Sequence, residues 1–246
     1  VAVPDVSAAV ALLATLRSAS GDRVSTFELV PRIGIELTAR HIPGVTDPFD
    51  KPHSWYVLAE LTSARAEDDL SATLESALAG AIEKGQAIDA VVATSLTQRD
   101  SLWRIRETIP EAQTHEGASI KHDVSVPVAA LPEFAAKASA WVAKNVPDAR
   151  LVSYGHVGDG NLHFNLSQGP GVSAETFMAR RAEIQRAIYD LALSMRGSFS
   201  AEHGIGRYKV GELERYRSAV ELEVMRALKS ALDPKGILNP GKVLRA

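Results

Sequence analysis

The segment Ser153–Ser167, SYGHVGDGNLHFNLS, limits the folds open to this chain more than any other stretch. At its centre Asp159-Gly160 is a two-residue hairpin signal, because a type I′ turn needs positive φ at both central positions. Polar and apolar residues alternate on either side with the period of a strand. A turn at that dipeptide sets His156 directly opposite His163, and Val157 opposite Leu162. Tyr154, His156, His163, Asn165 and Ser167 then share one face, and Val157, Leu162, Phe164 and Leu166 the other. The chain must therefore contain an antiparallel pair with one polar and one apolar face.

The remaining periodicities surround that hairpin with both element types. Val6, Val10, Leu13 and Leu16 predict an opening helix stopped by Gly21. Strands are predicted over Ser54–Thr62 and Ala87–Ser95, with helices from about Glu67 to Lys84 and from about Gln98 to Ile109. In ASIKHDVSVPV, Ile120, His122, Val124 and Val126 point one way, and Ser119, Lys121, Asp123 and Ser125 the other. Further helices turn Phe134, Ala138, Trp141 and Val142 inward, then Phe177, Ile184, Ile188, Leu191 and Met195. A last one turns Val220, Val224, Leu228 and Ala231 inward and ends at Asp233-Pro234. The interleaving predicts an α+β fold, a largely antiparallel sheet with helices packed on one face.

Composition narrows the chemistry. A net charge of −3 over 246 residues, with both signs dispersed, argues against a nucleic-acid partner. No apolar run is long enough for a transmembrane segment. The opening VAVPDVSAAV has neither Met nor a basic region before an apolar core, and reads as a cut point rather than a leader. With no cysteine present, any metal must be held by His, Asp or Glu. Two facing imidazoles have the reach to converge on a divalent ion, and Glu202 in SAEHGIG is the nearest carboxylate to complete the set. Hydrogen-bonded structural histidines satisfy the same spacing, and Glu202 could instead pair with Arg207. His41, His53, His115 and His122 read as structural.

Three motifs, GHVGDGNLHFN, SAEHGIGRYK and LDPKGILNPGKVL, resemble the C-terminal domain of flavin-linked 2-hydroxy acid dehydrogenases. That group, in the vanillyl-alcohol-oxidase-type flavoprotein superfamily, includes D-lactate dehydrogenases, the glycolate oxidase flavin subunit and D-2-hydroxyglutarate dehydrogenases. The resemblance runs from about Trp55 to Val243. It implies a substrate or cap domain over residues 1–246 with ferredoxin-like elements, in which residues 200–246 face the flavin. FAD would be held mainly by an N-terminal domain missing from this sequence, in the same parent chain or a partner chain.

The resemblance also implies roles. His156, His163 and Glu202 correspond to ligands of a divalent metal, zinc first. His203 corresponds to the general base, Asn165 to a polar residue on the substrate side, and Asn239 and Lys242 to the segment that returns to the flavin. LWRIRE (102–107) with IKHDVSVP (120–127) is most similar to the D-2-hydroxyglutarate branch, where Arg106 and Lys121 would hold a carboxylate. The D-lactate and glycolate branches lack that lysine. Pro110 departs from the branch, which has a threonine there, and leaves another dicarboxylate or a larger 2-hydroxy acid open. The implied partners are a small 2-hydroxy acid, the flavin domain and an unidentified electron acceptor, and a homodimer is compatible with the reading. The expected location is the cytoplasm, or the mitochondrial matrix in a eukaryote. Two other classes compete, a metal-dependent hydrolase built on the same three ligands and a non-catalytic cap domain.

Overall fold

A computed structural model describes residues 1–245. The chain divides into two compact units, Val1–Phe199 and Ser200–Ala246.

The first unit opens with strand β1 (Ala2–Val3) and helix α1 (Val6–Ser20). Asp5 caps α1 by accepting the Ala8 N–H at 2.8 Å, and Gly21 ends it in the left-handed conformation at φ 63°. Strand β2 (Val24–Pro31) and helix α2 (Arg32–His41) follow, in a region to which the periodicities assign nothing. Five successive residues at the end of β2 are buried, so no alternation marks it. Next come β3 (Trp55–Leu61), α3 (Leu70–Glu83) and α4 (Leu96–Thr114). Short β4 (Ser119–Ile120) and β5 (Asp123–Ser125) precede α5 (Leu131–Asn145). The hairpin strands β6 (Arg150–His156) and β7 (Asn161–Ser167) then lead to α6 (Ala174–Ala179) and α7 (Arg181–Ser194).

The strands form one antiparallel sheet in the order β1-β3-β2-β6-β7-β4, with β5 also paired to β7. Ala87–Ser95 is not a strand: it contributes a single bridge, Asp89 to Ala2, and leaves Ile88 and Val91 exposed. Its edge partner β1 is two residues long and has no more backbone to offer.

Helices cover both faces of the sheet rather than one. Phe134 of α5 meets Phe164 of β7 edge-on, and Tyr189 of α7 meets His122. On the opposite face Gln113 of α4 bonds Asn165 and Ser167 of β7. There Val30, Tyr56, Val152 and Tyr154 of the sheet close a core with Ile35 and Leu37 of α2 and Ile105 and Ile109 of α4.

The hairpin register also differs from expectation. Tyr154, not His156, pairs with His163, because the connection is wider than two residues. A 3₁₀ turn over Val157–Asp159 ends at Gly160, which has φ 68°. The register slips by two positions, so the side chains of both strands keep their predicted faces, while Val157 leaves the ladder for the turn instead of facing Leu162.

Glu116 ties this unit together from the turn after α4. It accepts from His41 Nε2 of α2 at 2.5 Å and pairs with Arg150 of β6, and its side chain is 9% exposed. The His41 hydrogen bond and the Arg150 charge outweigh burial and hold its carboxyl at about 2. The folded value lies below the unfolded one, so this stabilisation is complete above about pH 4.5 and is lost as pH falls toward 2. Glu116→Gln should therefore cost about 2 kcal/mol at pH 7 and progressively less below pH 4.5. Urea midpoints of both proteins across that range test it, and a gap that does not narrow refutes it.

The second unit carries α8 (Val210–Tyr216) and α9 (Ala219–Leu232). Ser218 and Glu221 close a capping box at the start of α9. Beyond α9, Asp233 accepts from Lys229 Nζ and from the amides of Ile237 and Leu238. The apolar stripe of α9 is not turned inward: Val220, Val224, Leu228 and Ala231 are exposed. Spacing fixes a helix and its apolar face, but not what covers that face. No described helix is long and apolar enough to cross a membrane.

Candidate metal and carboxylate site

A buried acid organises the polar face of the sheet. Glu28 sits on β2 between Phe27 and Leu29 and is 1% exposed. The β2–β6 ladder places it directly across from His156. One carboxylate oxygen pairs with His156 Nδ1, and the other accepts from Arg106 Nε of α4 at 2.8 Å. Burial opposes its ionisation, but the His156 hydrogen bond and the Arg106 charge prevail and hold the carboxyl below its usual range. A carboxylate only accepts, so the proton of that hydrogen bond belongs to His156 Nδ1. In neutral imidazole Nε2 is then the ring nitrogen with the lone pair, as a metal ligand requires.

Arg106 is also held by an aromatic ring. Its guanidinium carbon lies 4.7 Å from the centroid of the Tyr154 ring, a cation–π geometry. Burial, partly offset by Arg106 and Asn165, pushes the Tyr154 hydroxyl up to about 12, so it stays a neutral platform for the cation. Pro110, inside α4, has no N–H to give the carbonyl of Arg106 four residues back.

His163 completes the group. Its ring lies 5.0 Å from that of Tyr154 and 6.1 Å from that of His156. Its Nδ1 is 4.0 Å from the carboxylate of Asp123, which the β5–β7 ladder sets directly opposite. Asp123 is buried, contrary to the simple alternation of its segment, and accepts from Asn161 Nδ2 at 2.9 Å. Both histidines thus present Nδ1 toward a buried carboxylate. Imidazole backed by carboxylate suits a divalent first-row ion.

These side chains open onto a cleft of about 800 Å³ whose walls include Arg17, Trp103, Arg106, Glu107, His156 and His163. A more apolar cavity of about 650 Å³ lies beside α3 and shares Arg106, but no histidine lines it. Arg106, Glu28 and the two histidines converge on the first.

Of the residues singled out in the sequence, Arg106, His156 and His163 come together. Lys121 lies between β4 and β5 and is exposed, and Asn165 is buried with its amide bonded to Gln113 and to the His122 N–H. Neither lines the cleft. Glu202 and His203 belong to the loop ahead of α8 in the second unit, where Ser200 Oγ donates to the Gly204 carbonyl. Asn239 has φ 48° and accepts from Lys242 Nζ at 3.0 Å, within the turn that follows α9. His41, His53, His115 and His122 all pack against neighbouring rings or Glu116. Glu28 escaped the sequence reading. Its one signal is a lone acid among apolar residues in STFELVP, where a buried charge demands partners.

The chain belongs to the family described as FAD linked oxidases, C-terminal domain, whose model matches residues 1–243. It is 38% identical over 205 residues to the D-2-hydroxyglutarate dehydrogenase of Stutzerimonas stutzeri, covering 82% of this chain and 43% of that protein. It is 36% identical over 233 residues to the mitochondrial D-2-hydroxyglutarate dehydrogenase of Arabidopsis thaliana, covering 95% and 40%. The mitochondrial enzyme of Rattus norvegicus is 35% identical over 234 residues, covering 94% and 42%. The chain thus spans less than half the length of these relatives.

Proposed function

We propose that this chain is the substrate- and metal-binding part of a flavin-dependent oxidoreductase. It would oxidise a D-2-hydroxy acid, D-2-hydroxyglutarate first, to the 2-oxo acid. The observation that carries the reading is Glu28, buried and shared between a carboxylate-binding cation, Arg106, and a candidate metal ligand, His156. The relatives named for D-2-hydroxyglutarate support the substrate.

In this reading His156 and His163, with Glu202 as the third ligand that the resemblance implies, would hold a divalent ion such as zinc. Bound ion and FAD would supply, respectively, a Lewis acid for the substrate hydroxyl and an acceptor for the hydride. The chain's own residues do the rest. Arg106 offers a planar fork to a substrate carboxylate, and Lys121, outside the cleft walls, would have to reach in to add the second cation that suits a dianion. His203 would take the hydroxyl proton. Asn165 would steady the substrate side through Gln113, and Asn239 and Lys242 would meet the flavin. The FAD-binding domain would lie elsewhere in the parent chain or in a partner, and the protein in the cytoplasm or the mitochondrial matrix. Pro110, one turn beyond Arg106, favours D-lactate or another 2-hydroxy acid as the second reading.

The test joins the chain to its flavin domain and mixes it anaerobically with D- and L-2-hydroxyglutarate and D-lactate. Bleaching of the flavin by the D-dicarboxylate alone, abolished by a chelator or by His163→Ala, is the expected result. Bleaching by D-lactate alone moves the substrate. Bleaching by none, with the metal still bound, refutes the oxidoreductase reading in favour of a metal-dependent hydrolase.

A further inference from the structure

We infer that Glu28 is a positioning residue that locks His156 and Arg106 into one unit, so that metal affinity depends on an acid outside the ligand set. The inference rests on reading His156 as a metal ligand.

The geometry assigns each oxygen of Glu28 its own duty. One faces His156 Nδ1 and the other Arg106 Nε, 78 residues away along the chain. At 1% exposure the carboxylate has no water to exchange for either partner. The Nδ1 contact fixes the ring's rotation and keeps its proton off Nε2, raising the basicity of the nitrogen that would face an ion. The Nε contact orients the guanidinium, and the Tyr154 ring lies against it. A glutamine cannot replace this arrangement. Its amide has one acceptor oxygen and would aim an N–H₂ at one of the two donors. An aspartate keeps the charge, but its arm is one methylene shorter and reaches only one partner.

The experiment measures zinc affinity of the whole chain by competition with a chromophoric chelator, beside thermal melts. Glu28→Gln is expected to weaken zinc binding by about 10–100-fold, the usual effect of removing the group behind a ligating histidine. Glu28→Asp should recover part of that loss, and serves as the test variant should Glu28→Gln not melt cooperatively. Phe134→Leu, in the core beside Phe164, should lower the melting temperature without altering zinc affinity. Affinity within twofold of wild type in whichever Glu28 variant folds overturns the inference. A wild-type chain that binds no zinc overturns the metal reading itself. Zinc binding that survives His156→Ala overturns the ligand assignment on which Glu28 acts.

Discussion

Arg106→Met should lower the free energy of unfolding by about 3–5 kcal/mol, although methionine fills much of the same volume. The loss comes from what stays behind. Glu28, 1% exposed, would keep a negative charge beside His156 alone, in a place water does not reach. Removing one member of a buried pair costs far more than removing both, because the remaining charge is uncompensated. Adding Glu28→Gln to Arg106→Met should therefore restore part of the stability, a coupling of at least about 1 kcal/mol between neighbours in one network. Arg106→Lys should fall between, since a lysine brings the charge without the Nε–H or the flat face that rests on Tyr154. Urea unfolding at pH 7 decides the matter. A loss under about 1 kcal/mol, or strict additivity in the double variant, would sink the idea that this ion pair is a buried unit.

Gly160→Ala is the second large effect, expected at about 2–5 kcal/mol. Gly160 closes the turn between β6 and β7 at φ 68°, where a residue with a Cβ is strained by about 1–2 kcal/mol. Its added Cβ would also stand 1.9 Å from the Val126 carbonyl oxygen, an overlap that only a backbone shift can relieve. That shift cannot stay local, because Val126 N–H donates to the Gly160 carbonyl at 3.0 Å. Gly158→Ala, two residues earlier, meets nothing within 4 Å and should change stability by less than about 1 kcal/mol. Thermal melts of the two variants provide the comparison, and equal shifts would show that the close approach at Gly160 does not matter.

The hairpin shows how far a sequence reaches. Alternation assigned its faces correctly although the register was two positions off, because a two-residue slip preserves side-chain direction. The width of the turn was not legible: a 3₁₀ turn answers the same Asp-Gly signal as a tight type I′ turn. β2 was lost because its last five residues are all buried and show no period, and Glu28 was lost with it. His156 and His163 were legible as a pair because both lie on one polar face. The partners that orient them come from β2 and β5, and tertiary pairing alone brings those strands alongside. The stripe on α9 was read correctly as apolar and wrongly as covered, since periodicity carries no information about the neighbour.

The β2–β6 junction has a consequence for how the molecule assembles. Two ladder pairs, Glu28–His156 and Leu29–Gly155, join the β1-β3-β2 half of the sheet to the rest. Glu28 and His156 are 128 residues apart in sequence, so closing this seam joins distant parts of the chain and carries a loop-closure cost. Until it closes, the two histidines share a hairpin but the acid and the arginine are elsewhere. A chain caught halfway presents no composite pocket, and a ligand that needs all four groups binds the finished fold alone. Its binding energy then adds to folding stability undiluted by any affinity for unfolded forms. Occupancy of the pocket becomes a readout of completed synthesis and folding.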